Sequence, residues 1–350
     1  MRKIILFILI ILIFIITVLY SPYFKEFFET LEEKKIYKVE NIKSTGINTL
    51  EEFKFFDKGI ISYNNQKIVY TDYNNNILWE NQNTEFSNKV FVTDNNIFRQ
   101  TNNKIMMLDK NNQEYVIAEI DGNIINVSRE NGKIGMVVKG NGQTLYIINE
   151  NNEIIVDNKK INDTITGISI NDKSEAYSLI TLNFENGVPV NTLYYLIDDV
   201  ELWSSLVSNE ILIKTKVVNN NVIAIGTKNI YFYNNNGKLM WKNSIYNKIL
   251  GYEISQNRIN ILFEKGQITE LITYNFEGKV MEIQTAPSDA KKLKIVDNKA
   301  LVYNNNAIYL LHNNKADKIF EETEIFEEIL IDGNNIYILF KNKIITGQIK

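Results

Sequence analysis

Two stretches alternate carboxylates and amides in the way a calcium loop does: "DYNNNILWE", Asp72 to Glu80, and "DKNNQE", Asp109 to Glu114. Each lacks the central glycine and the closing bidentate glutamate at the required distance, so a hairpin turn is the expected use of both. "KGNGQ", Lys139 to Gln143, gathers two glycines but has no Gly-Lys-Ser/Thr ending, and so is no phosphate cradle. The single histidine, His312 in "LLHNN", reads as a polar residue where a strand enters a turn. "EETEIFEE", Glu321 to Glu328, is a dense acidic stretch expected as a solvated loop, its alternative being a patch for a cation or a basic partner. Asp94, Asp121, Asp172 and Asp332 remain as carboxylates that could gather at one mouth of a larger structure.

Composition removes whole classes of chemistry. With 0 cysteines and 1 histidine there are no disulfides, no thiolate nucleophile, no cysteine-type zinc site and no multi-histidine metal site. The expectation is therefore no catalytic residue, no metal and no cofactor. A net charge of -4, from 38 basic and 42 acidic residues, leaves no excess to attract phosphate backbones. No dense Lys/Arg stripe interleaved with aromatics is present, so no nucleic-acid partner is expected.

What must position any site is a repeat. Short alternating runs such as "QKIVY", "KIMML", "TLYII", "NIYFY", "AIYLL" and "NIYILF" recur between Asn, Asp and Gly clusters, as β-branched and aromatic strands do. Many run through an Asn-rich turn into a second strand: "YNNNILW", "NENNEIIV", "IDDVELW", "YNNNGKLMW". The second strands carry the markers Trp79, Ile117, Val156, Trp203, Trp241, Glu282 and Ile319, separated by 38, 39, 47, 38, 41 and 37 residues. The long interval contains "NFENGVPVN", Asn183 to Asn191, expected as a longer hairpin loop. About 40 residues and four short strands per unit is the signature of a β-propeller. One period before Trp79 falls Val39, and the last unit, from Glu327, supplies only three strands. Lys35 to Asn41 is therefore expected to provide the missing outer strand and close the ring. The reading is an all-β propeller of about eight four-stranded blades, with seven as the alternative, occupying residues 35–350.

The N-terminus is not part of that fold. Ile4 to Tyr20, "IILFILIILIFIITVLY", is apolar without a charge and spans roughly 25 Å as a helix, enough to cross the hydrocarbon core with little tilt. The rival, a cleaved signal peptide, has a shorter apolar region and a small-residue cleavage site that "VLYSPYF" does not offer. Arg2 and Lys3 keep the N-terminus in the cytoplasm, which puts the propeller outside. Residues 1–20 are read as cytoplasmic tip and single transmembrane anchor. Residues 21–34, with Ser21 as N-cap and Pro22 at the first helical position, are read as a juxtamembrane helical stalk.

The segments Gly237-Lys238-Leu239-Met240-Trp241 and Gly278-Lys279-Val280-Met281 resemble the G-K-x-x-W end of the repeat in quinoprotein-like (PQQ-like) propellers. In that family the tryptophan docks between neighbouring blades. The whole layout resembles membrane-anchored PQQ-like propellers of low-GC Gram-positive bacteria. Quinone-dependent dehydrogenases of this type use an adjacent cysteine pair over the cofactor, which this chain lacks. The resemblance thus implies the non-catalytic members, such as the lipoprotein that assists outer-membrane protein assembly, whose propeller presents loops to partners. The expected function is a membrane-anchored, extracytoplasmic protein-interaction scaffold with an envelope protein as partner. The alternative is an envelope enzyme or small-ligand or metal binder using acidic residues at the propeller mouth.

Overall fold

The computed structural model describes residues 37–350 apart from 83–89, 94, 131, 150–152, 172, 173, 256, 297 and 298. The expected span and stalk, residues 1–34, lie outside the described residues, as do Asp94 and Asp172.

Alternation of apolar and polar residues over five to ten positions produces strands, and Asn or Asp at positive φ folds each strand back on the last. The described residues form eight antiparallel four-stranded sheets, so the eight-blade reading holds and the seven-blade alternative does not. Blade 1 is built from Glu52–Phe56, Gly59–Tyr63, Lys67–Asp72 and Ile77–Gln82. Blade 5 repeats it with Leu212–Val218, Asn221–Gly226, Asn229–Tyr233 and Leu239–Ser244. All seven marker residues fall on fourth, outermost strands. Within each blade the two middle strands are buried on both faces: Ile60, Ile61, Ile68, Ile223 and Ile225 are all at most 1% exposed. Each such side chain contributes roughly 1.5–3 kcal/mol by leaving water, so the core is a series of layers between adjacent blades.

The last blade consists of Glu328–Asp332, Asn335–Leu339 and Lys343–Ile349, and its outermost strand comes from the other end of the chain. That strand is Val39–Gly46, paired from Val39 opposite Ile349 to Gly46 opposite Lys343. The expected Lys35–Asn41 segment is therefore shifted: only its last three residues belong to the strand. The marker arithmetic lands on the first residue of the closing strand, and a bulge between Glu40 and Lys43, with Asn41 at φ 56°, lets pairing continue to Gly46. Val39, 7% exposed, seats this strand in the layer holding Ile336, Ile345 and Phe320.

The long interval also has a different origin from the expected loop. Strands Ala176–Glu185 and Val188–Ile197 pair along their whole length, and only Asn186 and Gly187, both at positive φ, form the turn. The extra residues lengthen a blade-4 hairpin instead of a loop, because Val188, Val190 and Phe184 sustain strand pairing across Pro189.

Candidate functional site: blade clefts and the charged inner ring

Hairpins between third and fourth strands share one local design. In blades 1, 2, 5 and 6 the first turn residue, Asp72, Asp109, Asn234 or Asn275, accepts backbone N–H bonds from residues two and four positions on. The fourth turn residue sits at positive φ, as Asn75, Asn112, Gly237 or Gly278. The expected hairpin reading of "DYNNN" and "DKNNQ" is thereby met. The Asp72 carboxylate, held by the Asn76 side chain and by backbone N–H groups against a smaller opposing effect of burial, lies below the usual carboxylate range.

These turns receive the tryptophans. Trp79 Nε1 donates to Lys110 O at 2.8 Å, Trp203 Nε1 to Asn235 O at 3.1 Å and Trp241 Nε1 to Phe276 O at 2.8 Å. In every case the acceptor is the second residue of the next blade's turn. A Cβ on Gly237 would lie 2.7 Å from the Trp203 ring, and one on Gly278 2.8 Å from the Trp241 ring. Glycine thus follows from the preceding blade's indole as well as from its own φ of +77°.

Around the axis, side chains of one inner strand satisfy the open edge of the next. Phe55 N donates to Glu328 Oε2 at 3.1 Å, and Lys294 Nζ donates to Ile329 O at 3.0 Å. Glu130 Oε2 accepts from Ile170 N at 2.9 Å, while its other oxygen pairs with Lys216, two blades away. Glu253, on the blade 6 inner strand Lys248–Ile254, sits among these groups. Its pKa is raised by burial, which outweighs the nearby positive charges of Lys294, Lys214 and Lys216. A raised carboxylate stabilises the fold fully below its unfolded pKa, near 4.3, and loses that contribution as pH rises through the folded value. Glu253→Gln should therefore match or exceed wild-type thermal stability at pH 7, with the gain disappearing near pH 4. A loss of stability at pH 7 would show that the carboxylate's charge is needed by the three lysines.

The family described as "Family of unknown function (DUF5711)" matches residues 30–347. The chain belongs to that family. No curated protein matches the sequence. Among solved structures, BamB from Moraxella catarrhalis superposes with a TM-score of 0.52 at 10% identity, covering 89% of this chain and 99% of that one. Sqt1 from Saccharomyces cerevisiae gives a TM-score of 0.59 at 9% identity, covering 89% and 97%. At such identities the likeness is one of fold: a DUF5711 chain is a β-propeller of the general kind both structures represent.

Of the carboxylates named from sequence, the two that are described, Asp121 and Asp332, do not come together. Asp332 ends an inner strand on the face carrying the first-to-second and third-to-fourth turns, whereas Asp121 lies on a blade-to-blade connection at the opposite face. Among the described residues no group of three or more histidine or acidic side chains is placed to hold a metal ion. His312 Nε2 pairs with Asp317 Oδ2 at 2.8 Å and meets the Tyr37 ring edge-on, so it helps fasten the start of the described chain to blade 7. "KGNGQ" is the second-to-third turn of blade 3. "EETEIFEE" is the expected loop into the last blade, pinned by Phe326, which is 1% exposed. Sequence reasoning missed the inner ring, because facing positions on different blades are far apart in the chain; Glu130 and Lys216 are 86 residues apart.

Proposed function

We propose that this DUF5711 propeller is a membrane-anchored, extracytoplasmic and non-catalytic scaffold that binds an envelope protein. The observation carrying this reading is the chemistry of its rim. On the outer strands of three consecutive blades, Val200, Leu202, Leu206, Leu239, Met240, Val280, Met281 and Ile283 are each 43–71% exposed. An outermost strand also presents an unpaired backbone edge, so apolar side chains and hydrogen-bonding groups are offered together. Exposed apolar surface of this kind marks protein contact more than catalysis. The anchor in Ile4–Tyr20 and the charges of Arg2 and Lys3 support the membrane and extracytoplasmic parts of the reading.

The cysteine-free chain makes a direct test practical. A single cysteine at Asn186, on the blade 4 hairpin tip, should react with a membrane-impermeant thiol reagent in intact cells whose wall admits it. A photo-crosslinking residue at Leu206, Met240 or Met281 should capture the same envelope protein repeatedly. Labelling only after lysis would overturn the topology. Absence of any adduct, together with quinone turnover or hydrolytic activity of the purified protein, would overturn the scaffold.

A further inference from the structure

Three blade clefts are closed by the same pair of rings. Beside the outer-strand bulge, an aromatic residue of the third strand pairs with the tryptophan of the fourth: Tyr70 with Trp79, Tyr195 with Trp203 and Phe232 with Trp241. The ring centroids are 5.5, 5.6 and 5.6 Å apart, and each indole reaches the next blade's turn as described. In the closing blade the same row pairs Thr346 with Lys43, and the next turn's second residue is Tyr73. Neither ring is supplied.

Lys43 reaches across instead, its ammonium donating to Asn74 Oδ1 at 3.2 Å. The place an indole takes elsewhere is a cavity of about 320 Å³, lined by Lys43, Thr346, Gln348, Tyr73 and Asn74. Tyr73 turns onto Tyr337 of the closing blade, with centroids 4.7 Å apart. The same two rings wall a second cavity of about 600 Å³ nearer the axis, which Phe55, Asp57 and Asp332 also line. Burial first, then the Tyr337 and Tyr70 hydroxyls and the Asp57 and Asp332 carboxylates, push the Tyr73 phenol upward. Lys58 borders this inner cavity and the Lys110 ammonium lies 3.9 Å from Asp57 Oδ1, so Asp332 is the lining carboxylate without an ion-pair partner among the described residues.

We propose that the cleft between the closing blade and blade 1 is a docking socket for a partner-protein segment carrying an aromatic side chain beside a basic one. The ring enters the position that Trp79, Trp203 and Trp241 hold in three other clefts. An N–H of that ring donates to the Tyr73 carbonyl, and the neighbouring cation lies against Asp332, where a charge-assisted hydrogen bond favours it. This inference rests on the scaffold reading and specifies the partner's chemistry.

The test uses the full chain in detergent and a fluorescein-labelled Arg-Trp-Arg peptide, with Arg-Ala-Arg and Glu-Trp-Glu as controls, followed by anisotropy. Wild type should bind Arg-Trp-Arg saturably and the controls at least about tenfold more weakly. Lys43→Trp should fill the socket, raise the melting temperature and abolish binding, whereas Lys43→Ala should keep it. Asp332→Asn should weaken binding by about tenfold. Equal binding by wild type and Lys43→Trp, equal binding of the alanine control, or no saturable binding would each overturn the socket. Rim cross-linking decides the scaffold separately: an adduct retained in a Lys43→Trp chain that binds peptide like wild type leaves the scaffold standing without the socket.

Discussion

Replacing Trp241 by alanine should lower the unfolding free energy by about 3 kcal/mol, the lower end of the range for deleting a buried indole. The ring is half-buried, which sets the figure at that end. It stacks on Phe232 at 5.6 Å with an interplanar angle of 7°, and donates to Phe276 O of the next blade. Alanine therefore removes apolar contact on both sides of a cleft and leaves a carbonyl without its donor. Trp241→Phe separates the two effects: it keeps most of the contact and should cost only about 1 kcal/mol for the hydrogen bond. Urea unfolding of both variants measures the difference. A cost near zero for Trp241→Ala would make the indole a surface ornament and remove the basis for treating the clefts as tryptophan-closed.

The repeat was legible because its signals are local. Asn and Asp at positive φ, the G-K-x-x-W ending and the period of the outer strands all lie within one hairpin, so they survive in a single sequence. The seven markers from Trp79 to Ile319 accordingly land on seven outer strands. Boundaries were less legible where pairing depends on a distant partner. Val39–Gly46 extends to Gly46 because Lys343–Ile349 offers it a full edge, and nothing within "KIYKVENIKSTG" records that length. The charged ring was invisible for the same reason in stronger form. Glu130, Lys216, Glu253 and Lys294 come from four different inner strands, each an ordinary charged position in its own segment. The socket was half visible: absence of a tryptophan near Lys43 is plain in the sequence, but its equivalence to Trp79 appears only once Thr346 is found opposite it.

Removing residues 37–46 should cause the largest loss, with aggregation or collapse of the cooperative thermal transition. The deletion strips Lys343–Ile349 of its outer partner and exposes a seven-residue edge next to Ile336 and Ile345, a template for pairing with another chain. It also removes Val39, whose side chain lies against the backbone of Gly347 so closely that a Cβ there would sit 2.3 Å from it. A deletion alone confounds loss of the strand with loss of the N-terminal connection, and a permuted chain resolves this. Lys38 N and Lys350 O are 3.1 Å apart and the reciprocal pair 3.0 Å, so the two segments already run as an antiparallel hairpin lacking only its turn. Joining Lys350 to Lys38 through an Asn-Gly turn, and opening the chain after Asn48, keeps every strand pair while changing the order of synthesis. The permuted propeller should melt within a few degrees of the unpermuted one, since the same surfaces are buried and only a surface loop is cut. If the deletion leaves the melting curve unchanged, ring closure resides elsewhere. If the permutation is as damaging as the deletion, the strand's connection to what precedes it, and not its pairing in the closing blade, holds the propeller together.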